Sequence, residues 1–225
     1  MLFGRAAYNA TLVSTLLAAF CVAIPVSAAA EERATIAPSA EEIQPLGTGD
    51  RAPRFTVRTV EDEPFEFDPD ALERPAIFIT FRGGWCPYCN MHLSELRTVI
   101  PDIRQMGVDV YFLSGDRPEL LYSTLQSDTQ ADIDGLDYVI LSDAGMNAAF
   151  AFGTAFRAAE STIARRLERG QDIAGSSMDR HHALAVPAVY LVDTDGLIRF
   201  SFVEPDYRVR LSADALLEAA KDISR

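Results

Sequence analysis

Ala76-Ile77-Phe78-Ile79-Thr80-Phe81, followed at once by Arg82-Gly83-Gly84-Trp85-Cys86-Pro87-Tyr88-Cys89, decides the fold. The first six residues form a continuous, almost wholly apolar run, the pattern of a central strand covered on both faces. From Cys86 onward Met91, Leu93, Leu96, Val99, Ile100 and Ile103 recur at helical spacing, and Pro101 predicts a kink. A strand that empties into a helix places Cys86 at the helix N-terminus. Unpaired backbone N–H groups and the helix dipole favour a thiolate there. Cys89 falls one turn later on the same side, close enough to close a strained disulfide. An attacking thiol with its own resolving thiol points to redox catalysis.

Outward from this stretch, Arg54 to Val60 alternates like a strand, with Phe65 to Phe67 as its hairpin partner. Val108 to Leu113 is a second buried strand, ended by Ser114-Gly115-Asp116, where Asp116 reads as a turn or cap residue. Pro118 suits a first helical position, with the helix continuing from Glu119 to Gln126. Tyr138 to Leu141 reads as a short strand, and Asn147 to Phe152 as a short helix. Arg157 to Arg169 is amphipathic, with Ile163 and Leu167 on one side, and Gln171 to His182 is loop-like. Ala188 to Asp193 and Ile198 to Val203 form a hairpin across Asp193-Thr194-Asp195-Gly196. Ser212 can cap a last helix containing Leu216 and Leu217. The order β-α-β-α-β-α, then β-β-α, implies an α/β fold. Its mixed central sheet has a parallel centre, an antiparallel hairpin toward one edge and helices on both faces.

Residues 1–30 read as a signal peptide. Arg5 supplies the positive start, Thr11 to Val26 is mostly apolar, and small residues allow cleavage after Ala28 or Ala30. Pro25 breaks the apolar run, which argues against a membrane anchor. Cys21 follows the bulky Phe20, poor for lipoprotein processing, so it leaves with the signal. Residues 31–44 are polar and read as a flexible leader, and residues 45–225 form a single domain with a substantial core. The formal charge of −13 becomes one unit more negative without Arg5. Such acidity excludes nucleic acid and an anionic membrane surface as partners, and no stable membrane insertion is expected once the signal is removed. Two cysteines then remain, and they are the adjacent pair. A disulfide over so short a loop removes little chain entropy, so the C-x-x-C of an exported chain reads as catalytic rather than stabilising.

Three segments resemble the peroxiredoxin-like branch of the alkyl hydroperoxide reductase/thiol-specific antioxidant family, on a thioredoxin-like fold. Gly49-Asp50-Arg51-Ala52-Pro53-Arg54-Phe55 is similar to its G-D-x-A-P-x-F opening. Phe81 to Cys89 resembles its active-site segment. Val186-Pro187-Ala188-Val189-Tyr190-Leu191-Val192-Asp193, followed by Asp195-Gly196, resembles the strand entered through a cis-proline. The resemblance implies a cis bond at Pro187 facing the dithiol, with the preceding backbone free to bond an extended substrate. It also implies no organic cofactor and a thioredoxin-like protein as electron donor. Cys86-Pro87-Tyr88-Cys89 is similar to the glutaredoxin motif. One departure stands out: typical members carry Thr or Ser three residues before the peroxidatic cysteine and Pro seven before it, where this chain has Gly83 and Ile79.

Cys86 and Cys89 are the candidate catalytic residues. Trp85 is a candidate docking wall, Pro187 a candidate substrate-binding residue, and Arg82 a candidate stabiliser of the thiolate. Arg157 and Arg180 are weaker candidates, and His181-His182 reads as solvent-exposed. Cys86, Cys89 and His92 also have C-x-x-C-x-x-H spacing, but no second ligand pair appears for a structural zinc, and no metal is expected. Asn90 after Cys89 disfavours haem attachment. The expected function is an exported, periplasmic thiol oxidoreductase of antioxidant type, reducing hydroperoxides or protein disulfides. The alternatives are a dedicated thiol–disulfide exchanger and a copper- or zinc-binding module. Copper chaperones of this architecture space their cysteines C-x-x-x-C, which counts against the last.

Overall fold

Residues 36–136 and 138–223 are described by a computed structural model. In chain order its elements are β1 (Phe55–Arg58), β2 (Pro64–Phe67), β3 (Ala76–Phe81), α1 (Pro87–Leu96), α2 (Ile100–Gln105), β4 (Asp109–Ser114), α3 (Ser127–Ile133), β5 (Val139–Ser142) and α4 (Asn147–Phe152). They continue through β6 (Ala155–Arg157), α5 (Glu160–Glu168), α6 (Ser177–His181), β7 (Ala183–Ala185), β8 (Ala188–Val192), β9 (Ile198–Val203) and α7 (Ala213–Ile223). Seven strands form one sheet in the order β2-β1-β5-β4-β3-β8-β9, and β6 and β7 form a separate pair. β3, β4 and β5 are parallel, whereas β8 and β9 return antiparallel at one edge. The β1–β2 hairpin closes the other edge through the bridge Arg58 to Ser142. This is the thioredoxin-like mixed sheet expected from the element order.

Every residue of β3 is buried, as its apolar run requires. Its alternation divides the core between the two faces of the sheet. Ile77, Ile79 and Phe81 join Cys86, Cys89, Leu93 and Leu96 of α1 and Leu216 of α7 on one face. Ala76 and Phe78 join Phe55, Phe67 and Phe152 on the other. The strand thus feeds the dithiol loop from the most buried position in the sheet.

Several local expectations change. The helix from Cys86 is not kinked at Pro101 but divided: α1 stops at Leu96, and Pro101 sits in the first turn of α2, where its missing N–H costs nothing. Met91, placed on the apolar stripe, is 67% exposed, whereas Asn90 and His92 are buried in its stead. Only Pro118–Leu120 forms a helical turn after β4, and α3 begins at Ser127. The side chains of Asn90 and Asp116 bond Gln126 N–H and the Thr124 hydroxyl, holding this segment as a turn beside the site. The loop-like stretch 171–182 contains α6. Ile163 is buried but Leu167 is exposed. Ser212 does cap α7, its Oγ accepting from Ala215 N–H.

The expected signal peptide, Cys21 included, lies outside the described residues, as does the start of the expected leader. Residues 36–44 are not free: Ala37 N–H donates to Ala155 O, and Arg157 N–H donates to Ala37 O, so this part runs alongside β6. Among the described residues, no helix is long and apolar enough to cross a membrane.

Thr80, the one polar residue of β3, fastens the strand to the segment opposite the dithiol. Its hydroxyl donates to Val186 O at 2.7 Å and accepts from Ala188 N–H at 2.8 Å. Thr80→Val keeps the shape and orphans both buried groups, so urea unfolding should show a loss of about 1–3 kcal/mol, with β3 otherwise intact.

Candidate active site

The loop between β3 and α1 leaves no room for a side chain at its two glycines. Gly83 has φ +146°, a backbone conformation natural only to glycine, and a Cβ there would meet the Trp85 indole nitrogen and the Asp116 carboxylate. A Cβ on Gly84 would meet the Thr124 hydroxyl and the backbone of Leu125. The residues then turn into α1 with Cys86 as N-cap (φ −91°, ψ 115°) and Pro87 in the first turn. Backbone N–H groups of Cys89 and Asn90 both donate to Cys86 O at 3.1 Å.

Both cysteines are free and buried, Cys86 being 2% exposed and Cys89 1%. Their sulfurs are not equivalent. The Cys89 thiol donates to the Cys86 sulfur, and this bond, with the Cys89 backbone N–H and the charges of Arg210 and Arg82, outweighs desolvation and brings Cys86 down to about 6. Burial, followed by the bond to Cys86, pushes Cys89 well up. At neutral pH the pair holds one thiolate at the helix mouth and one thiol behind it. This is the division of labour between attacker and resolver.

A polar frame holds the loop. Asn90 Nδ2 donates to Gly84 O at 2.6 Å and Cys86 O at 2.9 Å, while its Oδ1 accepts from Gln126 N–H. Asp116 accepts from Gly84 N–H at 2.9 Å and the Thr124 hydroxyl at 3.0 Å, and its burial raises its pKa. Trp85 joins the main core to a smaller cluster of Ala158, Ile163, Ile173, Met178 and Leu184, so the segment between β6 and β7 forms a wall beside the thiol. The Arg166 guanidinium lies 4.0 Å above the Trp85 ring.

Two arginines approach the sulfurs. Arg210 Nη2 donates to Cys89 Sγ at 3.4 Å. Arg82 lies between aromatic rings, 4.7 Å from that of Tyr207 and 5.8 Å from that of Phe156, and its burial is opposed by the nearby sulfurs. Tyr207 packs edge-on against Tyr88 at 5.5 Å and roofs the site. The strip carrying Arg210 is anchored to α1. His92 Nε2–H donates to Leu211 O at 2.9 Å, and Glu95 Oε1 accepts from Ala213 N–H at 3.0 Å. Burial, helped by Arg210, lowers His92 to about 4, so its ring stays neutral. His92 is therefore a strut, not a third ligand beside the thiols. Among the described residues no group of three or more His, Cys, Asp or Glu side chains is placed to hold a metal ion.

Cys86, Cys89, Trp85 and Arg82 come together as the spacing implied. Pro187 departs from expectation: the described residues contain no cis peptide bond. The backbone before it is already engaged, since Val186 N–H donates to Thr154 O and Val186 O accepts from Thr80. That arrangement holds the segment in the trans form and leaves neither group free for an extended substrate. Arg157 and Arg180 are exposed. His182 lies 3.3 Å from Glu160, and His181 packs edge-on against Phe150. Asn90, Asp116, Arg166, Tyr207 and Arg210 were missed. Buried polar residues on a helix show as breaks in its apolar stripe, which could have marked Asn90 and His92. Arg210 and Arg166 come from distant segments and leave no local signal.

A sequence profile described as the AhpC/TSA family matches residues 48–201. The thiol-disulfide oxidoreductase ResA of Halalkalibacterium halodurans is 27% identical over 105 residues, 47% of this chain, and the match spans only 56% of that protein. Peroxiredoxin Bcp of Escherichia coli is 23% identical over 180 residues, covering 80% of this chain and 99% of that one. Among solved structures, a peroxiredoxin-like protein from Aquifex aeolicus superposes with a TM-score of 0.57 at 19% identity, covering 80% of this chain and 89% of its own.

The inequality of the two sulfurs can be titrated. Thiolate absorbance of the reduced protein should rise with a first midpoint near 6, absent in Cys86→Ala and shifted upward in Cys89→Ala. Because the folded value lies below the ordinary 9.0, the reduced protein gains stability from Cys86 as pH rises from about 6 to 9, and loses it as pH falls through 6. Parallel unfolding curves for the reduced wild type and Cys86→Ala would contradict this.

Proposed function

Since the chain belongs to the AhpC/TSA family, in its peroxiredoxin-like, thioredoxin-fold form, we propose that it is a thiol-dependent oxidoreductase that reduces disulfide bonds with the Cys86/Cys89 pair. The observation that carries this reading is the hydrogen-bonded sulfur pair at the mouth of α1, one sulfur low in pKa and the other high. The Cys86 thiolate attacks one sulfur of the substrate disulfide, forms a mixed disulfide and expels the other sulfur as a thiolate. Cys89 then gives up its proton and attacks Cys86. The second substrate thiolate leaves, and the protein has surrendered two electrons as a Cys86–Cys89 disulfide. A dithiol protein of thioredoxin type returns those electrons.

A second reading, hydroperoxide reduction, draws on Arg82 and Arg210, whose N–H groups can meet the charge that develops on a departing oxygen. Cys86 would become a sulfenic acid with release of an alcohol, and Cys89 would condense with it and release water. Gly83 weighs against this as the main activity. Family members carry a hydroxyl at the corresponding position, and here Trp85 and Asp116 occupy the space of any side chain.

Export is the third part of the proposal and rests on the positive start, apolar run and small residues of 1–30. Fractionation of the native host should recover the protein shortened by about 30 residues in the extracytoplasmic fraction. A full-length cytoplasmic product would refute it.

Trp85 is the sole tryptophan and flanks Cys86, so its fluorescence should report the chemistry. In stopped flow, the reduced protein should react with a disulfide substrate in two phases, the second lost in Cys89→Ser, and Cys86→Ser should be silent. Hydrogen peroxide should react no faster than with a free thiolate. Gly83→Ser, which returns the hydroxyl, should unfold more readily, by about 1–3 kcal/mol, and gain no peroxidase rate. Rapid peroxide reduction with slow disulfide exchange would transfer the assignment to the second reading.

A further inference from the structure

From the charges gathered round Cys86 we infer that the substrate is a small disulfide bearing a carboxylate close to the sulfur under attack. This rests on the dithiol reading above and adds a substrate class to it. Arg82, Arg166 and Arg210 come from the dithiol loop, α5 and the strip before α7, and all three guanidiniums act electrostatically on, or are acted on by, the Cys86 sulfur. One thiolate cannot balance three such charges.

Among the described residues no carboxylate is hydrogen-bonded to any of the three: Asp206 acts on Arg210 only through its charge, and Arg166 Nη1 donates to the neutral Gln171 Oε1 at 3.1 Å. Several surface arginines have acidic partners, as Arg117 has Asp172 and Arg208 has Asp206. Asp116 accepts from Gly84 N–H and the Thr124 hydroxyl, and the hydrogen bonds of the Asp206 carboxylate go to Arg208. Meanwhile Arg82 Nε, Arg166 Nε, and Arg210 Nε and Nη1 are buried with no hydrogen-bond partner. Buried donors are ordinarily satisfied, so four unpaired ones around a nucleophile mark a place where an acceptor is missing. In a chain of formal charge −13, this is a local concentration of positive charge.

Access sets the size of the ligand. Cys86 is 2% exposed, and Tyr207 packs on both Tyr88, two residues from it, and the Arg82 guanidinium. A substrate that displaces Tyr207 reaches sulfur and guanidiniums together. A narrow, flexible disulfide can do this; the broad surface of a folded protein meets Trp85 and Arg166 first. The carboxylate then pairs with the arginines while the thiolate displaces the distal sulfur as RS⁻. Cys89 displaces the second RS⁻, and two electrons pass from protein to substrate.

The test uses three small disulfides of matched size: 3,3′-dithiodipropionate (anionic), 2-hydroxyethyl disulfide (neutral) and cystamine (cationic). Each rate with the reduced full-length protein is divided by its rate with dithiothreitol, which removes intrinsic reactivity. The anionic compound should be favoured over the neutral one by about tenfold at low salt, the cationic one disfavoured, and the preference should shrink as salt screens it. Arg166→Gln and Arg210→Gln should each lower the anionic-to-neutral ratio, with the neutral substrate reporting any change in the thiolate itself. Should a variant fold poorly, the salt dependence of the wild-type ratio decides alone. A wild-type ratio near one, or one that neither substitution nor salt moves, overturns the inference while rapid neutral exchange leaves the dithiol reading standing. No exchange with any of the three overturns both.

Discussion

A sulfur anion almost out of reach of water needs another source of solvation, and here the neighbouring thiol provides it. The Cys89-to-Cys86 hydrogen bond is the interaction around which the rest is arranged. It requires both sulfurs on one side of α1, one turn apart, which in turn requires Cys86 at the N-cap of the helix. A helix beginning one residue earlier would rotate the pair and remove the backbone N–H groups from the front sulfur. Gly83 and Gly84 set that starting point, because only residues without side chains let the chain pass so close beneath Trp85, Asp116 and Thr124.

α1 is also the fastening point for everything above the site. Cys86 and Cys89 perform the chemistry, Asn90 ties the loop down, and His92 and Glu95 hold the strip that carries Arg210. Asn90 and His92 are tolerated in a buried face because each has a defined backbone partner, whereas Glu95 lies at its exposed margin. Tyr207 belongs to the same strip, flanked by the paired Asp206 and Arg208 and followed by Arg210. Nucleophile, cover and positive charge are therefore positioned from one short helix.

The sheet, its parallel centre and the β8–β9 hairpin could be read from runs such as Ala76–Phe81 and Ala188–Val192, since full burial of a strand imposes continuous apolarity. The dithiol could be read because its spacing is itself the chemistry. Pro101 was legible as a disturbance but not as a break, since whether a helix bends or restarts depends on packing against α7 rather than on local preference. Asp116 looked like a turn residue because a short acidic side chain after a strand is usually one; its role beneath Gly84 depends on a loop thirty residues away. Arg166 and Arg210 were hidden for the same reason. An arginine resembles any other until the fold brings it beside a sulfur. Pro187 misled through resemblance, since the bonds made by Thr80 and Thr154 arise from tertiary packing and leave no mark in the local sequence.

The stabilised sulfur also sets a thermodynamic lean. Whatever holds Cys86 as an anion stabilises the dithiol form and has no counterpart once the two sulfurs are joined. With a value near 6 in place of 9.0, the reduced state is favoured at neutral pH by on the order of 1 kcal/mol, or a few tens of millivolts toward a higher potential. The guanidiniums of Arg210 and Arg82 are part of that tilt, since bonding the sulfurs together leaves them with no anion between. Such a molecule rests charged with electrons and discharges them only downhill, into acceptors that hold electrons more tightly than an ordinary stable disulfide does.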